Sequence, residues 1–346
     1  MNCFFKKYTL QFKQPSGTSR GELRKKDTYY LILQDEKQFS IGECNRFSGL
    51  SFDDREGYEE KLTETCKRLI QQEPEIDLSL ANWPSIRMGV ETVLLDWQNG
   101  CKQIIFPAAF KKGTFTVPIN GLIWMGSFDE MKKQILEKLK AGFRSIKLKI
   151  GAIDFETELS LLYFIRKQFN EKEVEIRLDA NGAFSFTEAK EKLQRLAQYN
   201  ISYIEQPIKA GQWQEMARLV EESPVVIALD EDLIGLVNQD DQNRLLSTVK
   251  PPMIILKPAL IGGFKASDHW KKKITEMGGE WVITSALESN VGLNAIAQYA
   301  ATEQNKWAQG LGTGQLYTNN IPSPYTVDAN GLHYQSSQAW DFSTLI

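Results

Sequence analysis

The sequence predicts an α/β protein: a (β/α)₈ barrel over residues 114–318, preceded by an α+β segment over residues 1–113 that would cap it. Three observations carry this. Eight short apolar runs alternate with amphipathic stretches in the second part, the first part follows a different rhythm, and most of the apolar runs end in a charged or hydrogen-bonding residue. Strand alternating with helix is the mark of a parallel sheet covered by helices, and eight repeats close it into a barrel. The 346 residues suit the division, because a barrel takes ~200–250 of them and leaves one smaller domain.

In residues 1–113, strand-like runs cover Lys7 to Phe12, Thr28 to Leu33 and Phe39 to Glu43, and Gln34-Asp35-Glu36-Lys37 predicts a hairpin between the last two. A helix is expected over Asp53 to Gln72, where Tyr58, Leu62, Cys66, Leu69 and Ile70 recur at helical spacing. A second is expected over Pro84 to Gln98, on Ile86, Val90, Val93, Leu94 and Trp97. After the polar turn Phe110-Lys111-Lys112-Gly113 come the barrel runs: Val117 to Met125, Ser145 to Ile150, Glu175 to Leu178, Ser202 to Ile204, Val225 to Leu229, Met253 to Leu256, Trp281 to Thr284 and Trp307 to Leu311. Helical stretches such as Phe128 to Ala141 and Thr187 to Gln198 lie between them. The tail from Asn319 to Ile346 has no helical period and contains Pro322 and Pro324, so it is expected to return to the first domain as a strand or meander.

A net charge of −3, with 42% apolar and 25% charged residues, describes an ordinary globular chain without the field that gathers nucleic acid. Cys3, Cys44, Cys66 and Cys101 form no C-x-x-C pair, which argues against a zinc knuckle or a disulfide framework and for a reducing cytoplasm. No signal peptide is expected, since the N-terminus carries only a very short apolar patch before its lysines, and no membrane span, since no later stretch of ~18 apolar residues occurs.

The chemistry is concentrated at the ends of the runs. Run two ends in Lys147-Leu148-Lys149, run three in Asp179-Ala180-Asn181, run four in Glu205-Gln206-Pro207, run five in Asp230-Glu231, run six in Lys257-Pro258 and run seven in Ser285. Separations of 26, 25 and 27 residues from Asp179 to Glu205, Asp230 and Lys257 match one β/α unit each, so these side chains should converge on the C-terminal mouth of the barrel, where active sites of this fold sit. Three carboxylates gathered there repel one another unless a cation compensates, and ligands of oxygen alone favour Mg²⁺ or Mn²⁺ over zinc. Asp179, Glu205 and Asp230 are the expected ligands.

Lys149 and Lys257 come from runs four apart and should face each other across the mouth. A divalent cation and a second ammonium lower a lysine's pKa, so one of them can serve as a base, while the metal takes up charge on a substrate carboxylate as an enediolate forms. Taken singly, Asp179 before a glycine turn reads as a cap or turn residue, and the whole set as a salt-bridge ring; the order and unit spacing favour chemistry. His269 and His333 are read as surface or core histidines, and Lys271-Lys272-Lys273 as a solvated helix face. Gly310-Leu311-Gly312-Thr313-Gly314 lacks the βαβ context of a dinucleotide site, although its amides could bind an anionic group.

Together, Lys147-Leu148-Lys149, Asp179-Ala180-Asn181, Ile204-Glu205-Gln206-Pro207, Asp230-Glu231 and Leu256-Lys257-Pro258 resemble the ordered motifs of the enolase superfamily, where a lysine or histidine base works with Mg²⁺. The resemblance implies an enolase-type modified TIM barrel with an N-terminal α+β cap. With no histidine near run seven and a lysine pair instead, the chain resembles the muconate-lactonizing-like branch, which includes o-succinylbenzoate synthases, dipeptide epimerases and N-acylamino acid racemases. Dipeptide epimerases usually carry Asp-x-Asp at the end of the eighth strand to hold a substrate ammonium, where this chain has Gly310-Leu311-Gly312-Thr313.

The segment Ser285-Ala286-Leu287-Glu288-Ser289-Asn290-Val291-Gly292-Leu293 resembles the strand-seven segment of o-succinylbenzoate synthases, whose serine contacts a substrate carboxylate. What this implies is a dehydration in menaquinone biosynthesis: Lys149 removes the proton beside the carboxylate of 2-succinyl-6-hydroxy-2,4-cyclohexadiene-1-carboxylate, then protonates the departing hydroxyl. Lys257 would stand on the opposite face, stabilising the developing charge and the nascent ring by cation–π attraction. Lys147, Asn181, Glu231, Gly312 and Thr313 would either bind substrate or support the ligands and lysines. The loops Gln14 to Lys26 and Asn45 to Asp53 would close over the succinyl tail, with Arg20 the candidate for its carboxylate. An N-acylamino acid racemase or dipeptide epimerase, and a barrel without turnover that only binds, stay open as alternatives.

Overall fold

The structure, a computed structural model, describes residues 1–18, 21–71, 79–111, 113–303 and 305–346. Three antiparallel strands open the chain: β1 (Asn2–Thr18), β2 (Gly21–Gln34) and β3 (Phe39–Cys44). The first two run well past the predicted segments, as one ladder from Asn2 opposite Gln34 to Thr18 opposite Gly21, with an irregularity between Gln11 and Ser16. Most of Gln14 to Lys26, expected to be a loop, is therefore hairpin strand; Ser19 and Arg20 lie outside the described residues.

Period two sorts the faces of β2. Tyr29, Leu31 and Leu33 pack against helices α1 (Tyr58–Gln71) and α2 (Pro84–Gln98), while Tyr30 and Ile32 point the other way, onto Val291, Ile321 and Leu345. The first helix starts at Tyr58 rather than Asp53, because the buried Asp53 carboxylate accepts bonds from the Ser85 backbone N–H (2.9 Å) and Oγ (2.7 Å) at the start of α2. Strand β3 crosses α2 very closely: a Cβ on Gly42 would sit 2.2 Å from the Gly89 carbonyl oxygen, and one on Gly89 2.3 Å from Cys44 Sγ.

Seven parallel strands follow in sequence order: β5 (Gly121–Ile123), β6 (Ser145–Lys149), β7 (Glu175–Asp179), β8 (Tyr203–Glu205), β9 (Ile227–Leu229), β10 (Met253–Leu256) and β11 (Glu280–Ile283). The first predicted run is split at Pro118, which has no N–H to give a ladder. Before it, β4 (Thr116–Val117) pairs with the tail hairpin of β12 (Tyr325–Asp328) and β13 (Gly331–Tyr334). The eighth run forms no regular strand, but Gln309 bridges Ile119 and Gly310 bridges Thr284, so it spans the gap between the first and last strands by one parallel bridge on each side. Beyond the hairpin, the tail packs on the cap, with Phe342 edge-on to Phe39 at 5.6 Å.

Helices α3 (Phe128–Lys140), α4 (Phe155–Arg166), α5 (Phe186–Leu196), α6 (Trp213–Glu222), α7 (Gln239–Val249), α8 (Pro258–Ile261), α9 (Gly263–Glu276) and α10 (Asn290–Thr302) alternate with the strands. Two of them open with a capping box, Ser127 with Glu130 and Ser185 with Glu188, which satisfies otherwise unpaired N–H groups. Lys271 is not on a solvated face as expected: it pairs with Glu303 (2.5 Å) and Asp268 (2.8 Å) over the Tyr299 ring.

Outward-facing Leu148, Leu178, Ile204, Leu229 and Ile254 meet the helices in the main core. Inward-facing Tyr203, Ala228, Met253, Ile255 and Val282 fill the barrel with Trp307, and the Arg177 guanidinium lies 5.3 Å from the Tyr203 and Trp307 rings. Period two then brings the next inward positions to the C-terminal mouth, and those are the charged residues. Among the described residues no helix is long and apolar enough to cross a membrane.

Candidate active site

Register alone sets the first three site residues side by side: Lys149 is opposite Asp179, and Asp179 is opposite Glu205. Asp230 follows β9 and Lys257 follows β10 directly. Carboxylate oxygens of Asp179, Glu205 and Asp230 come within 4.8 Å of one another, and all three residues are buried. Three converging anionic oxygen donors, without histidine or thiolate, fit a hard divalent cation such as Mg²⁺.

Three ammonium groups surround them. Lys147 Nζ donates to both Glu205 oxygens, at 2.8 and 2.7 Å, and lies 3.1 Å from Asp179 Oδ2. Lys149 Nζ donates to Asp179 Oδ2 (2.5 Å) and Asn181 Oδ1 (2.8 Å), and Lys257 Nζ to Asp230 Oδ2 (2.5 Å). Asn181 Nδ2 in turn donates to Glu231 Oε1 at 3.0 Å.

The charges set the titrations. Burial pushes Glu205 up to about 8 and Asp230 up to about 6, against the pull of Lys147 and Lys257 respectively. Burial would raise Asp179 too, but the ammoniums of Lys149, Lys147 and Lys257 hold it well below the usual carboxylate range. For Lys257, burial is outweighed by Asp230, Glu231 and Asp179, so the protein groups raise its pKa rather than lower it. A cation and a second ammonium, the two influences expected from sequence, leave out these neighbouring carboxylates.

Two strand ends turn through the left-handed region on non-glycine residues, Asn181 at φ +46° and Gln206 at φ +38°. Gln206 is held there: its amide nitrogen donates to Ile208 O (3.0 Å) and Asp232 Oδ2 (2.7 Å), and its oxygen accepts from the Asp230 N–H (3.1 Å). That links the end of β8 to the end of β9 and sets the spacing of Glu205 and Asp230. Such strain is characteristic of functional sites.

A cleft of about 770 Å³, counting its part open to solvent, brings together Lys147, Lys149, Asp179, Asn181, Lys257, Ser285, Gly312 and Thr313. Ser285 Oγ and Thr313 Oγ1 are 2.7 Å apart, and Ser285 Oγ reaches Gly310 O at 3.2 Å. Arg20 lies outside the described residues. His333 bonds Asp328 and Thr116, and His269 sits on α9.

Sequence reasoning missed the apolar wall: Phe47 and Leu50 from the cap, Leu122 and Trp124 from the end of the first barrel run, and Leu287. The alternation Asn120, Leu122, Trp124 was a usable signal for the barrel part. Phe47 and Leu50 fall in the loop expected to close over substrate.

Residues 130–337 match the family described as enolase C-terminal domain-like. The chain is 42% identical to an o-succinylbenzoate synthase of Desulfotalea psychrophila, over 96% of its own length and 98% of that protein, and it superposes on the crystal structure of MenC from that organism with a TM-score of 0.85, at 38% identity over 96% and 99% of the two chains. An o-succinylbenzoate synthase from Thermosynechococcus elongatus, complexed with Mg in its active site, is 26% identical with a TM-score of 0.70 over 90% and 92% of the two chains. An L-Ala-D/L-Glu epimerase of Francisella tularensis is 29% identical, over 51% of this chain and 49% of that protein. A barrel bearing acids and lysines on successive strand ends, matched by a family model over more than half its length, places this chain in the enolase superfamily.

Proposed function

We propose that this chain is a Mg²⁺-dependent o-succinylbenzoate synthase, a carbon–oxygen lyase of menaquinone biosynthesis acting in the cytoplasm on 2-succinyl-6-hydroxy-2,4-cyclohexadiene-1-carboxylate. One observation carries the reading: lysines on two strand ends flank a cluster of three converging carboxylates, and Lys149, Lys257 and Asp179 open onto a cleft whose other wall is apolar. The near-full-length sequence likeness to the Desulfotalea enzyme supports the substrate, whereas the sequence likeness to the Francisella epimerase spans about half the chain.

Asp179, Glu205 and Asp230 would hold the cation, with Mn²⁺ a substitute. When bound, Mg²⁺ would compensate charge developing on the substrate carboxylate and loosen the acids' hold on the flanking ammoniums. Lys149, as the amine, takes the proton from the carbon beside the carboxylate. The same group, now an ammonium, gives that proton to the hydroxyl on the same face, so one C–H and one C–O bond break, water leaves, and the ring becomes aromatic. Lys257 faces the ring as an ammonium and offsets its negative charge. Ser285, Thr313 and the Gly312 backbone receive a carboxylate, and Phe47, Leu50, Leu122 and Trp124 exclude water from the ring.

Loss of the diene's ultraviolet absorbance reports the reaction. Rapid loss with Mg²⁺, stopped by excess chelator, is the expected result; an intact diene, with deuterium entering N-acylated amino acids or dipeptides in D₂O, would replace the reading with racemisation or epimerisation.

A further inference from the structure

We propose that the cap positions the substrate's carboxylate from a distance: Glu43, within β3, and Asn45, just past its end, clamp loop 285–289 in the shape that presents Ser285 to the cleft. This deepens the reading above and rests on it.

The barrel side holds the loop at Ser285, whose N–H and Oγ both donate to Gly310 O (3.0 and 3.2 Å) and whose Oγ lies 2.7 Å from Thr313 Oγ1. The loop's shape is costly, since Leu287 sits at φ +61°, and a branched residue stays there only where its surroundings hold it. Buried side chains do so. Asn45 Nδ2 donates to Ala286 O and to Glu288 Oε1, both at 2.9 Å, and Glu288 Oε2 accepts from the Ala286 N–H at 2.6 Å. The Tyr317 hydroxyl donates to Leu287 O at 2.7 Å.

Glu43 grips the far end of the loop. One oxygen accepts from Thr28 Oγ1 (2.7 Å) and the Ser289 N–H (3.1 Å), the other from Ser289 Oγ (2.6 Å) and the Gly292 N–H (2.9 Å). The cap thereby supplies the anion at the N-terminus of α10, where the helix dipole favours one. A Cβ on Gly292 would lie 2.8 Å from both Glu43 Oε2 and Glu288 Cγ, so glycine is what lets the carboxylate approach. Lys26 Nζ, buried and without a hydrogen-bond partner among the described residues, lies near the two carboxylates: burial lowers its pKa, and the attraction of Glu43 and Glu288 opposes that. Buried carboxylates are a poor way to gain stability compared with apolar packing, and a good way to specify one geometry.

The test compares Asn45→Leu and Glu43→Gln with the parent chain in Mg²⁺. Each should raise KM for the diene about tenfold, the equivalent of about 1.4 kcal/mol, while kcat changes less than about threefold. In a Ser285→Ala background, adding Asn45→Leu should change KM less than about twofold, because the clamp acts through that serine; an undiminished tenfold effect there, or unchanged KM in the single variants, overturns the proposal. Asn45→Ser, which shortens the side chain without adding bulk, takes the place of Asn45→Leu if that variant does not fold. Amide hydrogen exchange without substrate provides a separate readout: Ala286, Ser289 and Gly292 should exchange faster in the variants, and equal exchange refutes the clamp. If the parent chain leaves the diene intact, the reaction reading fails while the exchange result still decides the clamp.

Discussion

Replacing Lys149 with Met keeps the apolar stem and deletes an ammonium held 2.5 Å from Asp179 Oδ2 and 2.8 Å from Asn181 Oδ1. Stranding a buried carboxylate costs about 3–5 kcal/mol. Asp179 is fully buried but keeps Lys147 at 3.1 Å, so the lower end, about 3 kcal/mol, applies in chelator. A cation held by Asp179 replaces the lost charge, so in saturating Mg²⁺ the cost should drop below about 1 kcal/mol. Turnover loses both the base and the acid and should fall about 10³-fold. The assay is denaturant unfolding in Mg²⁺ and in chelator, beside the diene assay. Equal destabilisation in both conditions would remove Asp179 as a ligand, and retention of about a tenth of the turnover would remove Lys149 as the base.

Asp230→Asn leaves Lys257 facing a neutral amide and takes one anion from the cation's donors; calorimetry should show Mg²⁺ affinity down by at least about tenfold, and unchanged affinity would count against the ligand assignment. Asp53 is pushed up to about 6 by burial, so its contribution to stability is complete below about pH 4, is lost as the pH rises through 6, and amounts to about 3 kcal/mol. Asp53→Asn should flatten the stability profile between about pH 4 and 7 relative to the parent chain, and parallel profiles would refute this. Gly42→Ala drives a Cβ against the Gly89 carbonyl oxygen at 2.2 Å and Val93 Cγ2 at 3.0 Å, and should destabilise by about 3 kcal/mol in denaturant unfolding; a midpoint like the parent's would contradict so close a crossing of β3 and α2.

Some elements could be read locally and others could not. Helix α2 begins and ends at Pro84 and Gln98, where the helical period of Ile86, Val90 and Val93 sets it, and the Gln34–Lys37 turn marks a real hairpin between β2 and β3. Pro118 was a visible signal that the first barrel run must break. Nothing local told that the eighth run would pair by one bridge on each side, because that depends on how much space the seven closed strands leave. The start of α1 was misplaced because Asp53 finds its partners at Ser85, 32 residues on.

Period two and unit spacing are properties of the chain itself, so the sequence alone determined which strand ends carry acids and lysines and toward which mouth they point. Which ammonium neutralises which acid was decided only by the fold: Lys147 meets Glu205 across 58 residues and Lys257 meets Asp230 across 27. The same holds for the cap, where Glu43 reaches Ser289 across 246 residues. Coulomb attraction and hydrogen bonding act through space, over a few ångströms, and only the packed chain brings such distant residues that close.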